Sequence, residues 1–213
     1  MTSIISFLEI LGVVVFAITG ALEAIKSSLD LLGVLIIGVI TAVGGGIIRD
    51  LVLGINPPAS FNNPKYIYIA TFTSFAVFSF AYFNKKIMGN ASIKIFDKIL
   101  TITDAIGLAV FTILGMKVAY SLSYEYRGVI YIFVGLITGV GGGIIRDILL
   151  QKVPYILDRN IYASASIVGA LIFYLMTKHS MTNELLRMEI AIGIIFLIRI
   201  YAAKRDLNLP KVN

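Results

Sequence analysis

Seven apolar runs, each near the ~20 residues that a helix needs to cross ~30 Å of hydrocarbon, succeed one another along this chain with short polar breaks between them. Hydrocarbon offers no water to backbone N–H and C=O groups, so such runs fold as membrane-spanning α-helices. They read Ile4 to Ala24, Leu31 to Leu53, Tyr66 to Phe83, Ile99 to Ser121, Gly128 to Leu150, Ile161 to Thr177 and Met188 to Ala203. Composition excludes a soluble protein: at 58% hydrophobic and 14% charged residues, the chain has too few polar faces to clothe seven such segments. The first run contains Glu9 and has neither a preceding basic residue nor a small-residue cleavage pattern, so it reads as a retained span. The absence of cysteine rules out disulfides, zinc–thiolate sites and iron–sulfur clusters.

The net charge of +6 reports orientation, not nucleic-acid binding. With seven spans, one membrane side gathers Lys26, Lys85, Lys86, Lys94, Lys98, Lys152, Arg159, Lys204, Arg205 and Lys211, and the other only Lys65, Arg127, Lys178 and Arg187. Cytoplasmic loops carry the excess of Lys and Arg, so the C-terminus is expected inside and the N-terminus outside a cell membrane that the chain crosses repeatedly. Tyr66, Tyr68, Tyr82, Tyr120, Tyr124, Tyr126 and Tyr131 fall near span ends, as an interfacial aromatic belt does.

The second and fifth spans both contain GGGIIRD, at 44–50 and 141–147. An offset of 97 continues this match to Pro57 over Pro154 and Asn63 over Asn160, and an offset of 95 sets Glu9 over Asp104, Gly12 over Gly107, Phe16 over Phe111 and Gly20 over Gly115. The chain therefore reads as a duplicated three-span unit: residues 1–83, a polar linker at 84–98, a second unit at 99–177, and a seventh helix with a cytoplasmic tail at 178–213. Three is odd, so the second unit enters the membrane from the opposite side. The expected fold class is an all-α integral membrane protein of seven transmembrane helices, two inverted three-helix repeats plus a seventh helix. Inverted repeats with interrupted helices serve transporters and channels alike.

Three consecutive glycines cost about 3 kcal/mol of helix propensity relative to alanine. Two uses explain their presence. Gly44, Gly45, Gly46 and Gly141, Gly142, Gly143 could open a helical turn whose freed carbonyls line a wet path suited to a hard monovalent cation. Alternatively, Gly38, Ala42 and Gly46, with Gly135, Gly139 and Gly143, form the small-xxx-small face that lets helices approach closely. A phosphate-binding loop is excluded, since no GK[ST] follows and no strand precedes.

Charges inside spans need a partner or water. Arg49, Asp50, Arg146 and Asp147 lie one turn beyond the triplets, where neighbouring side chains point about 100° apart on a helix, so Arg49 is not expected to face Asp50 directly. Asp50 and Asp147 are read as acceptors that fix the helix break or concentrate cations, with the arginines as counter-charges, mouth residues or members of a structural pair. Lys117, whose repeat-mate is the apolar Leu22, is a gating candidate or a partner for an acid such as Glu23. Glu9 and Asp104 are secondary candidates for a permeation mouth or a stabilising hydrogen bond. Arg199 is expected to snorkel to the cytoplasmic face. The single histidine, His179, falls in a loop, and no Ser/His/Asp set, metal cluster or paired-carboxylate site can be assembled, which argues against an enzyme.

The doubled GGGxxRD, the inverted three-helix units, the seventh helix and the outside N-terminus resemble the prokaryotic branch of the trimeric intracellular cation (TRIC) channel family over essentially the whole chain. The resemblance implies a homotrimer with a pore in each protomer, passing monovalent cations, chiefly potassium, along a path shaped by kinks at Gly44 to Gly46 and Gly141 to Gly143. Animal members carry a Lys-Glu-Val motif in the fourth helix, implicated in gating and anionic-lipid binding; Met116-Lys117-Val118 supplies its lysine without its glutamate. No cofactor and no metal beyond permeant potassium is implied, and the expected partners are further copies of the chain and the lipid bilayer. A secondary transporter of a small solute, and a scaffold whose glycines only pack helices, are the alternatives.

Overall fold

The computed structural model describes residues 2–84, 90–122, 127–158, 161–205 and 207. Nine helices are placed among these residues: α1 Thr2–Lys26, α2 Leu31–Val52, α3 Ala59–Asn62, α4 Lys65–Phe83, α5 Asn90–Ser121, α6 Arg127–Leu149, α7 Tyr155–Asp158, α8 Ala163–Lys178 and α9 Glu184–Lys204. The seven expected spans coincide with α1, α2, α4, α5, α6, α8 and α9. Among the described residues α1, α2, α4, α5 and α6 are long and apolar enough to cross a bilayer. The sixth expected span, α8, has 16 residues, and the seventh, α9, carries Glu184, Arg187, Glu189, Arg199 and Lys204. The protein is an all-helical, multi-pass membrane protein.

Local chemistry sets the boundaries. Asp30 caps α2 by accepting from the Gly33 N–H at 2.8 Å, and Asn183 caps α9 by accepting from Leu186 at 2.8 Å. The short helices α3 and α7 start directly after Pro58 and Pro154, where proline needs no N–H partner. The linker expected at 84–98 is helical from Asn90 onward, because nothing in that stretch after Gly89 breaks a helix; its polar residues extend α5 beyond the apolar span, where Asp97 pairs with Lys26. Lys85, Lys86, Arg159, Asn160, Lys211, Tyr124 and Tyr126 lie outside the described residues.

Four helices form the centre. The α1 helix packs on α2 and α5, and α6 packs on α2 and α5; α4 flanks α1 and α2, while α8 and α9 flank α5 and α6. The α1 and α5 helices run antiparallel through a reciprocal fit: the ring of Phe16 fills the space beside Gly107 and the ring of Phe111 that beside Gly12, with centroids 5.3 Å apart. Of the tyrosines expected near span ends, Tyr68 and Tyr82 are exposed. Tyr131 is instead buried and packs against Tyr120, which also contacts Phe173, because both rings face α8 rather than lipid.

The glycine triplets stay within uninterrupted α-helix, so the expected opened turn is not how they are used here. They let α2 and α6 cross in contact. A methyl group built on Gly45 would overlap the Thr138 carbonyl, and one on Gly142 would overlap the Thr41 carbonyl. The backbones meet so closely that Gly141 faces the Gly45 Cα, and any side chain would separate the helices. The small-residue stripes also pack, Gly38 against Ser74 and Gly135 and Gly139 against α5.

Candidate functional site

The third glycine of each triplet has a different use from the first two. Around a methyl placed on Gly46 the nearest atom is Arg49 Nη2 at 3.9 Å; around one on Gly143 the nearest are Tyr162 Oη at 3.6 Å and Arg146 Nη2 at 3.8 Å. These glycines leave room for the guanidinium three residues further on to lie back along its own helix.

Each arginine then meets the aspartate next to it in sequence. Arg49 Nε donates to Asp50 Oδ1 at 2.8 Å and Nη2 lies 2.7 Å from the same oxygen; Arg146 Nε donates to Asp147 Oδ1 at 2.8 Å. The expectation that Arg49 does not face Asp50 directly is corrected, and the structural ion pair is the alternative found: the 100° offset holds for Cβ directions, but three methylenes let the guanidinium bend back over the helix end. The second carboxylate oxygen of each aspartate caps the following short helix. Asp50 Oδ2 accepts from Ala59 N at 2.8 Å, and Asp147 Oδ2 accepts from Tyr155 N at 3.0 Å. The motif thus resolves into two glycines for a helix crossing, one for an arginine, and an ion pair that ties α2 to α3 and α6 to α7.

Further along, the halves stay equivalent in chemistry. Tyr66 Oη donates to Glu9, and Tyr162 Oη donates to Asp104 at 3.2 Å. An offset of 96 aligns these tyrosines, a signal present in the sequence that the aromatic-belt reading of Tyr66 passed over. Glu9 and Asp104 each lie two helical turns, about 10 Å, from the phenylalanine on their own helix. Because α1 and α5 are antiparallel, the two acids sit on opposite sides of the Phe16–Phe111 pair.

The surroundings of the two halves differ. Beside Glu9 a cavity of about 270 Å³ enters the bundle between α1, α2 and α5, lined by Glu9, Gly46, Arg49, Tyr66, Phe111 and Lys117 among others. Lys117 pairs not with Glu23 but with Glu184, joining the end of α5 to the start of α9. Glu23 lies at the far end of α1 and, buried, accepts from Lys152 Nζ at 2.5 Å and Tyr155 Oη at 2.9 Å. Beside Asp104 everything is buried. Arg146 is 0% exposed and Arg199 3%, with Arg146 Nη1 3.6 Å and Arg199 Nη2 3.8 Å from the Asp104 carboxylate. Arg199 therefore does not snorkel: α9 packs on α5, its arginine side faces Asp104, and the guanidinium stacks over Tyr162 at 4.7 Å. Among the described residues no group of three or more Asp, Glu or His side chains is placed to hold a metal ion.

A helical membrane bundle with paired GGGxxRD helices crossing at its centre, and a cavity lined by charged side chains beside one of them, has the TRIC channel fold. Solved structures bear this out: a protein described under "Structural basis for conductance through TRIC cation channels" is 37% identical with a TM-score of 0.82, covering 98% of this chain and 97% of its own. A TRIC trimeric intracellular cation channel orthologue from Rhodobacter sphaeroides is 31% identical with a TM-score of 0.85, covering 96% and 100%. The chain belongs to the prokaryotic TRIC-like family, whose model, described as "Glycine transporter", matches residues 6–82 and 101–178. The UPF0126 inner membrane protein YadS of Escherichia coli is 36% identical over 97% of this chain and 95% of its own, and the UPF0126 membrane protein YvgT of Bacillus subtilis is 38% identical over 78% and 77%.

Proposed function

We propose that this protein is a monovalent cation channel, chiefly potassium-permeable, with a path in each protomer that runs from the Glu9 cavity past the Phe16–Phe111 pair to Asp104. The observation that carries the reading is the cavity of about 270 Å³ lined by Glu9, Arg49 and Lys117, in a chain that superimposes on TRIC cation channels at TM-scores of 0.82 to 0.85. The antiparallel pairings of α1 with α5 and of α2 with α6, and a family match falling on two similar stretches, support two inverted three-helix units with α9 as the seventh span. On this reading the N-terminus is outside, the C-terminus cytoplasmic, and the functional form a homotrimer. The glycine triplets shape the path by bringing α2 and α6 into contact at its waist. Lys117, at the cavity wall and joined to α9, acts on gating, and anionic lipid is its candidate ligand.

Purified protein in a planar bilayer under a potassium chloride gradient tests this. Unitary steps that reverse near the potassium potential are expected; silence from monodisperse wild type and from its Arg199→Gln variant alike refutes the channel. A second reading has support of its own. The cavity presents an acid, Glu9, and two cations, Arg49 and Lys117, the pattern that a zwitterion requires, and the family model is described as a glycine transporter. Saturable glycine uptake into liposomes without unitary current would favour that carrier.

A further inference from the structure

We propose that Arg199 is a tethered cation that locks the inner end of the path, holding the Asp104 carboxylate that a permeant cation would otherwise use. The inference rests on the channel reading and concerns a residue outside the duplicated units.

The two halves act as mutual controls. Glu9, Tyr66, Arg49 and Asp50 correspond to Asp104, Tyr162, Arg146 and Asp147, and each set makes the same hydrogen bonds. The first set faces an open cavity. In the second, the space between Val140, Gly143, Arg146 and Tyr162 has about 0 Å³ free. One side chain present beside Asp104 and without a counterpart beside Glu9 is that of Arg199, delivered by α9, which has no repeat counterpart. Asp104 thus has two guanidinium groups against it where Glu9 has a tyrosine and a cavity.

A permanent structural ion pair in a buried site is expected to satisfy its donors and acceptors. Here the pairs stand off at 3.6 and 3.8 Å. Asp104 Oδ2, Arg146 Nη1 and Nη2, and Arg199 Nε are buried and, among the described residues, have no hydrogen-bond partner. Arg199 is held to Asp104 across 3.8 Å, with its Nε unpartnered among the described residues, and has somewhere else to go. It lies five residues before the end of α9 at Lys204, so a rotation of its long side chain, or a small shift of α9, carries the charge toward the membrane surface without unfolding any element. Asp104 then keeps Arg146 on one oxygen and presents the other to the path. The Lys117–Glu184 pair, at the opposite end of α9, gives the outer cavity a mechanical connection to the same helix.

Bilayer recordings of wild type, Arg199→Gln and Arg199→Lys decide the matter. Arg199→Gln is expected to raise open probability about tenfold, the size of shift that loss of one state-specific contact gives, while Arg199→Lys, which keeps the charge, stays near wild type. Equal open probability in wild type and Arg199→Gln overturns the lock and leaves the channel standing. A silent wild type with a conducting Arg199→Gln supports it. Should Arg199→Gln not yield monodisperse protein, Asp104→Asn/Arg199→Gln, which removes one charge of each sign, is read instead. It is expected to open more often than wild type but pass less current per opening, and wild-type gating in it overturns the proposal. Silence in every variant, with saturable glycine uptake retained, removes the channel reading and the lock together.

Discussion

Asp147 and Asp50 make the same contacts, yet removing their charge should have unequal effects. Arg146 is wholly buried, so Asp147→Asn leaves a guanidinium with only the Asp104 carboxylate at 3.6 Å, which it shares with Arg199, a change of the kind that costs about 3 to 5 kcal/mol. The Arg49 side chain is 14% exposed and opens on the cavity, so Asp50→Asn should cost about half as much or less. Thermal unfolding in detergent, followed by size-exclusion chromatography, should rank wild type above Asp50→Asn above Asp147→Asn; equal midpoints for the two variants would remove burial as the reason. Lys117 and Glu184 belong to the same scale. If their pair transmits between cavity and α9, Lys117→Ala and Glu184→Gln each change open probability, and the double variant changes it no further than either alone. Additive effects would mean that the two side chains act separately.

At the scale of the element, the crossing of α2 and α6 depends on a volume that only glycine leaves free. Gly45→Ala or Gly142→Ala sets a methyl against a carbonyl of the opposite helix and should destabilise by about 1 to 3 kcal/mol, the usual range for overpacking a closed interface. Gly46→Ala meets nothing nearer than Arg49 Nη2 at 3.9 Å and should be close to neutral, since the gain in helix propensity opposes any crowding of the arginine. Loss of folded protein with Gly46→Ala, and none with Gly45→Ala, would refute this division of labour. The motif was visible in the sequence as a motif, within the second and fifth apolar runs. Its two uses were not separable there, because a glycine that opens a turn and a glycine that admits a neighbour have the same residue type and spacing.

For the whole molecule, the proposed orientation has a direct check, since the native chain has no cysteine to remove. Thr182 lies exposed in the turn between α8 and α9, and Leu207 is exposed beyond α9. A membrane-impermeant maleimide should label Thr182→Cys in intact cells and Leu207→Cys only after permeabilisation. The reverse pattern would invert the molecule and place the Glu9 cavity on the cytoplasmic side.

The sequence by itself determined the helical, membrane-embedded class, the apolar segments that become helices and the repeated GGGIIRD motif within two of them. Each of these depends on the order and periodicity of residues along one segment, and the hydrocarbon solvent admits few other solutions. Tertiary structure decided the partners. Which acid holds Lys117, whether Arg199 reaches water or Asp104, and whether the glycines open a turn or close a gap all depend on the rotation and separation of helices distant in sequence. Those are fixed by side-chain packing over the whole bundle, and no single helix encodes them.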